Sequence, residues 1–250
     1  MRGLVGRRIA ITRPAGRGDT LAARLQALGA IPRLTPLIAY TPPPDPTPLQ
    51  QALNRLATGA YHWLVVTSRQ TVQVLADTTI PESTAIAAVG KATAGDCRRA
   101  WGREPTVVPD TEIGGALPAI MGQLAGKRVL LPCADIAPPT LTEALRAAGA
   151  DVDRVTAYCT VAGPGLADLQ RMIDDGAIDA IVLASGSAVR QLQQLHVPTG
   201  LPPLVCIGPS TAAVCADLGF PIAGIAERPN DDALIAVLEQ VFTPYCEVKE

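Results

Sequence analysis

Six short segments place small, hydroxylic or glycine residues just where an apolar run ends: Thr12-Arg13-Pro14, Thr67-Ser68, Gly90-Lys91-Ala92-Thr93, Pro132-Cys133-Ala134, Ser185-Gly186-Ser187 and Gly208-Pro209-Ser210-Thr211. Taken singly, each reads as a helix N-cap or a tight turn opening a helix, the ordinary use of Ser, Thr and Gly. Their number and symmetry argue for more. A helix N-terminus carries about half a positive charge and free N–H groups, so several converging on one cleft would hold a polyanion without many cationic side chains. A near-neutral chain could bind a highly acidic ligand in this way.

Other chemistries find little support. The two histidines, His62 and His196, cannot furnish a metal cluster by themselves. His62 directly precedes an apolar run and His196 stands beside Pro198, so both read as structural or surface residues. The cysteines at 97, 133, 159, 206, 215 and 246 form no C-x-x-C pair, which fits a reduced, cytoplasmic chain with mostly structural thiols. Cys97 and Cys215 fall on the apolar faces of equivalent helices and read as core. Asp174-Asp175 and Asp231-Asp232 close and open helices, so they read as caps and solvated faces. Gly3-Leu4-Val5-Gly6 precedes its strand instead of following it, which does not support a dinucleotide fingerprint. Neither G-x-x-x-x-G-K-[ST] nor G-x-S-x-G occurs.

Composition sets the frame. Twenty-one basic against 23 acidic residues leave a net charge of −2, which argues against a nucleic-acid surface. Apolar residues are 48% and charged residues 18%, the balance of a well-buried globular fold. With aromatics at 3%, base-stacking platforms are improbable and the core must be aliphatic. The apolar part of Met1 to Arg13 is far shorter than a secretory core. The best membrane candidate, Ile113 to Gln123, is broken by Gly114, Gly115, Pro118 and Gly122.

The elements that must carry these loops come from an internal repeat. At a shift of about 120 residues, Leu21, Leu25 and Leu28-Gly29-Ala30 fall on Leu141, Leu145 and Ala148-Gly149-Ala150. Near 117, Trp63-Leu64-Val65-Val66-Thr67-Ser68 falls on Ala180-Ile181-Val182-Leu183-Ala184-Ser185, and near 118, Gly90-Lys91-Ala92-Thr93 falls on Gly208-Pro209-Ser210-Thr211 with Cys97 on Cys215. Within each copy, short apolar runs without alternation are followed by helical periodicity: Arg8 to Thr12, Trp63 to Thr67, Ile86 to Val89, Val129 to Leu131, Ala180 to Ala184 and Val205 to Ile207 are the runs. Buried parallel strands joined by amphipathic helices look like this, with ligand sites at the carboxyl ends of the strands. The fold class expected is α/β: two pseudo-symmetric, doubly wound (flavodoxin- or Rossmann-like) parallel-sheet domains with a two-stranded linker.

At 250 residues, one large domain or two modest ones are possible. The stretch Thr41-Pro42-Pro43-Pro44-Asp45-Pro46-Thr47-Pro48 can be neither helix nor central strand, and its counterpart is Gly163-Pro164-Gly165. Each follows an extended segment of period two, Arg33 to Tyr40 and Asp153 to Val161. This favours a discontinuous domain of residues 1–37 plus 162–250 with residues 38–161 inserted, over a single cut near 126.

The ordered residues Ile11-Thr12-Arg13-Pro14, Leu28-Gly29-Ala30, Trp63-Leu64-Val65-Val66-Thr67-Ser68, Val89-Gly90, Leu130-Leu131-Pro132, Val155-Thr156-Ala157-Tyr158 and Ile207-Gly208-Pro209-Ser210-Thr211 resemble those of the uroporphyrinogen-III synthase family from about residue 7 to 242. The resemblance implies two α/β domains joined by a two-stranded ladder, with the first domain built from both chain ends, and neither metal nor organic cofactor. It implies a substrate, hydroxymethylbilane, and a lyase reaction: loss of its terminal hydroxyl as water and ring closure with inversion of the last ring. The product of that reaction, uroporphyrinogen III, serves haem and related tetrapyrrole biosynthesis.

Spontaneous closure gives the uninverted isomer. The enzymatic contribution is then largely steering, a geometric effect worth roughly 7 to 11 kcal/mol in well-oriented systems. Tyr158 matches the family tyrosine that assists hydroxyl departure; a phenol, with a reference pKa of about 10, is a protonated but moderate acid at neutral pH. Thr93 and Thr211 match cleft-lining positions. Ser68, Ser185, Ser187, Gly208 and Ser210 are expected partners of substrate carboxylates, and Arg13 is the expected cationic one. Three positions depart from the family: Cys133 where arginine is frequent, Gln70 where asparagine is usual, and Lys91, which could replace the lost charge. A monomer is expected, with hydroxymethylbilane synthase as a transient partner and no nucleic acid or membrane partner. The alternative is a non-catalytic two-lobed binding or regulatory module for a small anionic ligand.

Overall fold

The computed structural model describes residues 3–109, 117–196 and 200–243. Its elements run β1 (Arg8–Ile11), α1 (Asp19–Ala27), β2 (Ile31–Leu34), β3 (Ile38–Thr41), α2 (Thr47–Ala57), β4 (Trp63–Val66) and α3 (Arg69–Val74). Then follow β5 (Ala85–Ala88), α4 (Lys91–Trp101), α5 (Leu117–Ile120), β6 (Arg128–Ala134), α6 (Thr140–Ala147) and β7 (Asp151–Ala162). The chain continues through α7 (Leu166–Asp174), β8 (Ala180–Leu183), α8 (Gly186–Leu192), β9 (Leu204–Cys206), α9 (Pro209–Asp217), β10 (Gly224–Ile225) and α10 (Asp231–Phe242). It divides into two compact units, Met1–Ala39 with Val161–Glu250, and Tyr40–Thr160.

The first unit carries a five-stranded sheet in the order β10-β9-β8-β1-β2, with each neighbouring pair parallel. Counted within the unit, that is the flavodoxin-like order 2-1-3-4-5, whose switch point lies between β1 and β8. Both faces are covered over the central strands: β8 and β9 are buried throughout, and β1 from Ile9 to Ile11, while the edge strand β2 keeps Ile31 and Leu34 exposed. Ile9, Ile11, Val182 and Val205 join the core on one face, and Ala10, Ile181, Leu183 and Cys206 the core on the other. Two-sided burial is the reason the sequence shows unbroken apolar runs instead of alternation.

The second unit carries the order β3-β7-β6-β4-β5, with β4-β5, β4-β6 and β6-β7 parallel. Taking β4 as its first strand reproduces 2-1-3-4-5, with β3 supplying the fifth strand from the opposite end of the segment. The second unit is thus a circular permutation of the first at the level of strand order. Its switch point falls between β4 and β6. Leu64, Val66, Ile86 and Leu130 pack on one face, Val65, Ala87, Val129 and Leu131 on the other.

Several expectations need correction. The extended segment Arg33 to Tyr40 is two strands: β2 belongs to the first sheet and ends at Leu34, residues 35–37 are outside any strand, and β3 joins the second sheet. The proline-rich stretch does end in helix, since Thr47 and Pro48 open α2. Proline is tolerated in a first helical turn because its missing N–H would have had no intrahelical partner there. Pro132-Cys133-Ala134 opens no helix and lies inside β6. Thr12-Arg13-Pro14 is likewise separated from α1, which begins at Asp19. Leu28 is exposed beyond the end of α1 while Leu21 and Leu25 are buried. Residues 113–116 of the rejected membrane candidate, Pro198 and Cys246 lie outside the described residues.

Gly163 and Gly165 have a clear steric reason. Their N–H groups donate to Leu37 O (2.8 Å) and Pro36 O (3.0 Å). A Cβ at Gly163 would lie 2.2 Å from Pro36 O, and one at Gly165 would lie 2.5 Å from Thr35 C. Two backbone segments approach each other there with no room for a side chain.

Candidate functional site

In the second unit the carboxyl edge of the sheet brings two of the expected residues, Ser68 and Tyr158, together. Ser68 stands two residues beyond β4 in extended conformation (φ −150°, ψ 150°) and N-caps α3: its Oγ accepts the Thr71 N–H at 3.0 Å. Tyr158 lies opposite Ala134, the last residue of β6, and its hydroxyl is 3.0 Å from Ser68 Oγ. Thr71 Oγ1 is also 3.0 Å from Ser68 Oγ and donates to Pro132 O at 3.5 Å. Tyr158, Ser68, Thr71 and the Pro132 carbonyl thus form one hydrogen-bonded chain at the switch point.

The position of Tyr158 depends on a β-bulge. Cys133 pairs with Thr156 but Ala134 with Tyr158, so Ala157 is an extra residue on β7. Strict alternation from Val155 would send Ala157 and Tyr158 to opposite faces, yet both pack in the same core with Val155. The bulge re-aims the tyrosine toward α3. Its ring is 6% exposed and meets Tyr40 edge-to-face, centroids 5.2 Å apart. Packing and hydrogen bonding therefore hold it at both ends. Period-two reading of β7 could not anticipate this, and Tyr40 and Thr71 were missed; a hydroxyl three residues after Ser68 was the only local signal for Thr71.

Thr93 is the third residue of α4, buried, behind Gly90 at φ 84°, a left-handed conformation suited to glycine. Lys91 opens that helix and is exposed. Cys133 Sγ accepts from Arg154 Nε on the next strand (3.3 Å), and Arg154 Nη2 donates to Ala137 O (2.6 Å). Gln70 sits in the first turn of α3.

The first unit repeats the pattern. Ser185, extended like Ser68 (φ −163°, ψ 152°), N-caps α8 by accepting the Ala188 N–H at 3.2 Å. Ser187 is half-buried in the first turn. Gly208 precedes α9 in fully extended conformation, Ser210 is exposed in its first turn, and Thr211 is buried at the position equivalent to Thr93. Gly186 is required by packing, since a Cβ there would lie 2.9 Å from Val214 Cγ2 of α9. Arg13 does stand past the end of β1, but its guanidinium is committed: Nη2 pairs with Asp231 at 2.7 Å, both largely buried. Asp231 and Asp232 open α10 as read, with Asn230 as N-cap, but Asp231 holds Arg13 and Asp232 pairs with Arg24.

The remaining candidates have structural surroundings. His62 accepts the Arg128 N–H through Nδ1 (3.0 Å) at the amino edge of β4 and β6. His196 is tied through its backbone to the Gln170 side chain. Burial pushes the Cys97 thiol up to about 12, so it is a core residue and a poor nucleophile. Cys215 is buried with its Sγ 3.6 Å from Cys206 Sγ. Among the described residues no cluster of His, Cys, Asp or Glu could hold a metal, and no helix is long and apolar enough to cross a membrane.

This geometry sits on a chain with extensive relatives. The family model described as uroporphyrinogen-III synthase HemD matches residues 19–236. The uroporphyrinogen-III synthase of Synechococcus elongatus is 26% identical, over 95% of this chain and 96% of the relative. That of Salmonella typhimurium is 27% identical, over 92% and 99%. Among solved structures, a mutant uroporphyrinogen III synthase from the extremely thermophilic bacterium Thermus thermophilus superposes with TM-score 0.69 at 19% identity, covering 94% of this chain and 98% of that one. The uroporphyrinogen-III synthetase of Helicobacter pylori 26695 superposes with TM-score 0.59 at 16% identity, covering 94% and 99%. The structural likeness bears on the fold, two parallel-dominated sheets, and the family match spans most of the 250 residues. The chain belongs to the uroporphyrinogen-III synthase family.

Proposed function

We propose that this protein is a uroporphyrinogen-III synthase, a lyase that closes hydroxymethylbilane into uroporphyrinogen III with loss of water and inversion of the last ring. The observation that carries this reading is the family match from residue 19 to residue 236, which leaves neither unit unaccounted for. The two units act as two domains, in a monomer of the cytoplasm. The enzyme works without a cofactor, and its substrate comes from hydroxymethylbilane synthase.

The reaction asks for a proton at the departing hydroxyl and for restraint of a flexible, many-carboxylate chain. Tyr158 is the proposed proton donor. Its hydroxyl stands at the carboxyl edge, hydrogen-bonded to Ser68, which supports the assignment. The proposed contacts to substrate carboxylates are Ser68 and Thr93 in the second unit, and Ser185, Ser187, Gly208, Ser210 and Thr211 in the first. Arg13 joins them by sharing its guanidinium with Asp231, which caps what it adds to affinity. The non-catalytic binding module is not favoured, because the relatives matched along their full length are named as synthases.

The test is direct. Purified protein is incubated with freshly generated hydroxymethylbilane and the oxidised products are separated into type I and type III isomers. Type III is expected; type I alone at high protein concentration would end the proposal.

A further inference from the structure

We propose that Thr71 is a positioning residue that sets the direction of the Tyr158 hydroxyl through Ser68. This rests on the reading of Tyr158 as proton donor. The hydroxyl protons can be arranged in two ways. When Thr71 donates to Pro132 O, Ser68 donates to Thr71, and Ser68 Oγ then accepts from the Thr71 N–H and from Tyr158. The tyrosine proton is directed at Ser68. When Thr71 instead donates to Ser68 Oγ, the serine proton turns to Tyr158 Oη, and the tyrosine proton is released for another acceptor. The Thr71–Pro132 bond surrendered is the longest of the set at 3.5 Å, so the reversal gives up little.

The second arrangement is the one proton donation requires. The Tyr158 O–H bond breaks as the proton passes to the substrate hydroxyl oxygen, the C–O bond breaks, and water leaves with its electron pair. The phenolate left behind accepts from Ser68, which is in turn supported by Thr71. The proton lost when the last pyrrole ring regains its aromaticity after ring closure restores the phenol. No oxidant or reductant is involved.

The internal repeat shows that the cap itself does not need this hydroxyl. Ser185 occupies the equivalent extended N-cap and accepts the same backbone N–H, but the third residue there is Ala188. The hydroxyl at 71 occurs in the copy whose serine touches Tyr158. It is fully buried, where a hydroxyl without purpose is a liability.

The test compares Thr71→Val, Thr71→Ala and Thr71→Ser in the wild-type and Tyr158→Phe backgrounds. T71V is expected to lower kcat roughly five- to tenfold, the worth of one hydrogen bond, with KM within about twofold. T71S should restore kcat, and T71V should change the Y158F enzyme less than about twofold. T71A replaces T71V in every comparison if the valine variant does not fold. A second readout is independent of turnover: the Tyr158 Cζ carbon resonance, assigned by its disappearance in Y158F, is expected to move in T71V and return in T71S. Equal kcat in T71V and wild type, an equal penalty in both backgrounds, or an unmoved resonance would each overturn the proposal. If wild type yields type I product alone, the synthase reading fails, and the resonance still decides the hydrogen-bonded chain.

Discussion

Replacing Tyr158 by Phe removes one hydroxyl from a site whose other bonds remain. Ser68 Oγ keeps the Thr71 N–H and Thr71 Oγ1, both at 3.0 Å, so the cap of α3 survives. The ring keeps its edge-to-face contact with Tyr40 and its place in the core. Losing the bond to Ser68 costs about 1 kcal/mol, which for a unit of this size corresponds to a Tm shift of about 4 °C. Against that stands the catalytic cost. A positioned general acid contributes about 10²- to 10⁴-fold, and water entering the vacated space recovers part of it, so kcat should fall about 10- to 100-fold without reaching zero. The assay follows type III product from freshly made hydroxymethylbilane by isomer separation, with thermal unfolding of the same preparation in parallel. Because spontaneous closure produces type I, the type III fraction should drop with the rate. Turnover within twofold of wild type would remove Tyr158 from the chemistry. A Tm loss above about 10 °C would mean that the ring, not the hydroxyl, is what the substitution disturbs.

Other parts of the molecule give independent predictions. Gly163→Ala should destabilise the first unit by about 3 kcal/mol or more, since its Cβ meets backbone atoms of Pro36, Leu37 and Ile38 within 2.8 Å; chemical denaturation measures it, and a loss below about 1 kcal/mol would contradict the close approach. Asp179 is held below the usual carboxylate range by its hydrogen bonds from Arg8, through Nε, Nη2 and the backbone N–H. A depressed folded-state pKa contributes stability above the unfolded value near 3.9, lost as pH falls through the folded one. The Tm gap between wild type and Asp179→Asn should therefore be full at pH 7 and narrow as pH falls below the unfolded value; a gap independent of pH would sink this reading. Native alkylation at pH 8 should leave Cys97 and Cys206 unmodified until the protein unfolds, because burial raises both thiols to about 12. Peptide mapping that finds either one labelled in the folded state would count against the packing described.

Much of the architecture is legible in residue order alone. Ile9, Leu64 and Ile181 lie in runs that bury both faces of a sheet, and such runs announce a parallel α/β fold without long-range information. Ser68 and Ser185 are recognisable as helix starts, because a cap is a local arrangement of a few consecutive residues. The site is less legible. Arg13 could be placed at the end of β1, but its pairing with Asp231, more than two hundred residues along the chain, could not.

The amino-acid sequence by itself determined the repeat, the alternation of strand and helix, the hydroxyl-rich strand ends and the family, since each depends on residue order and short-range periodicity. Tertiary structure decided where those pieces meet. A single extra residue in β7 turns Tyr158 onto the face where Ser68 and Thr71 wait. The prolines and glycines read as breaks become a helix start at Pro48 and a backbone crossing at Gly163. Bulges, salt bridges and close approaches depend on which distant segments are neighbours, and that follows from how the sheets pair.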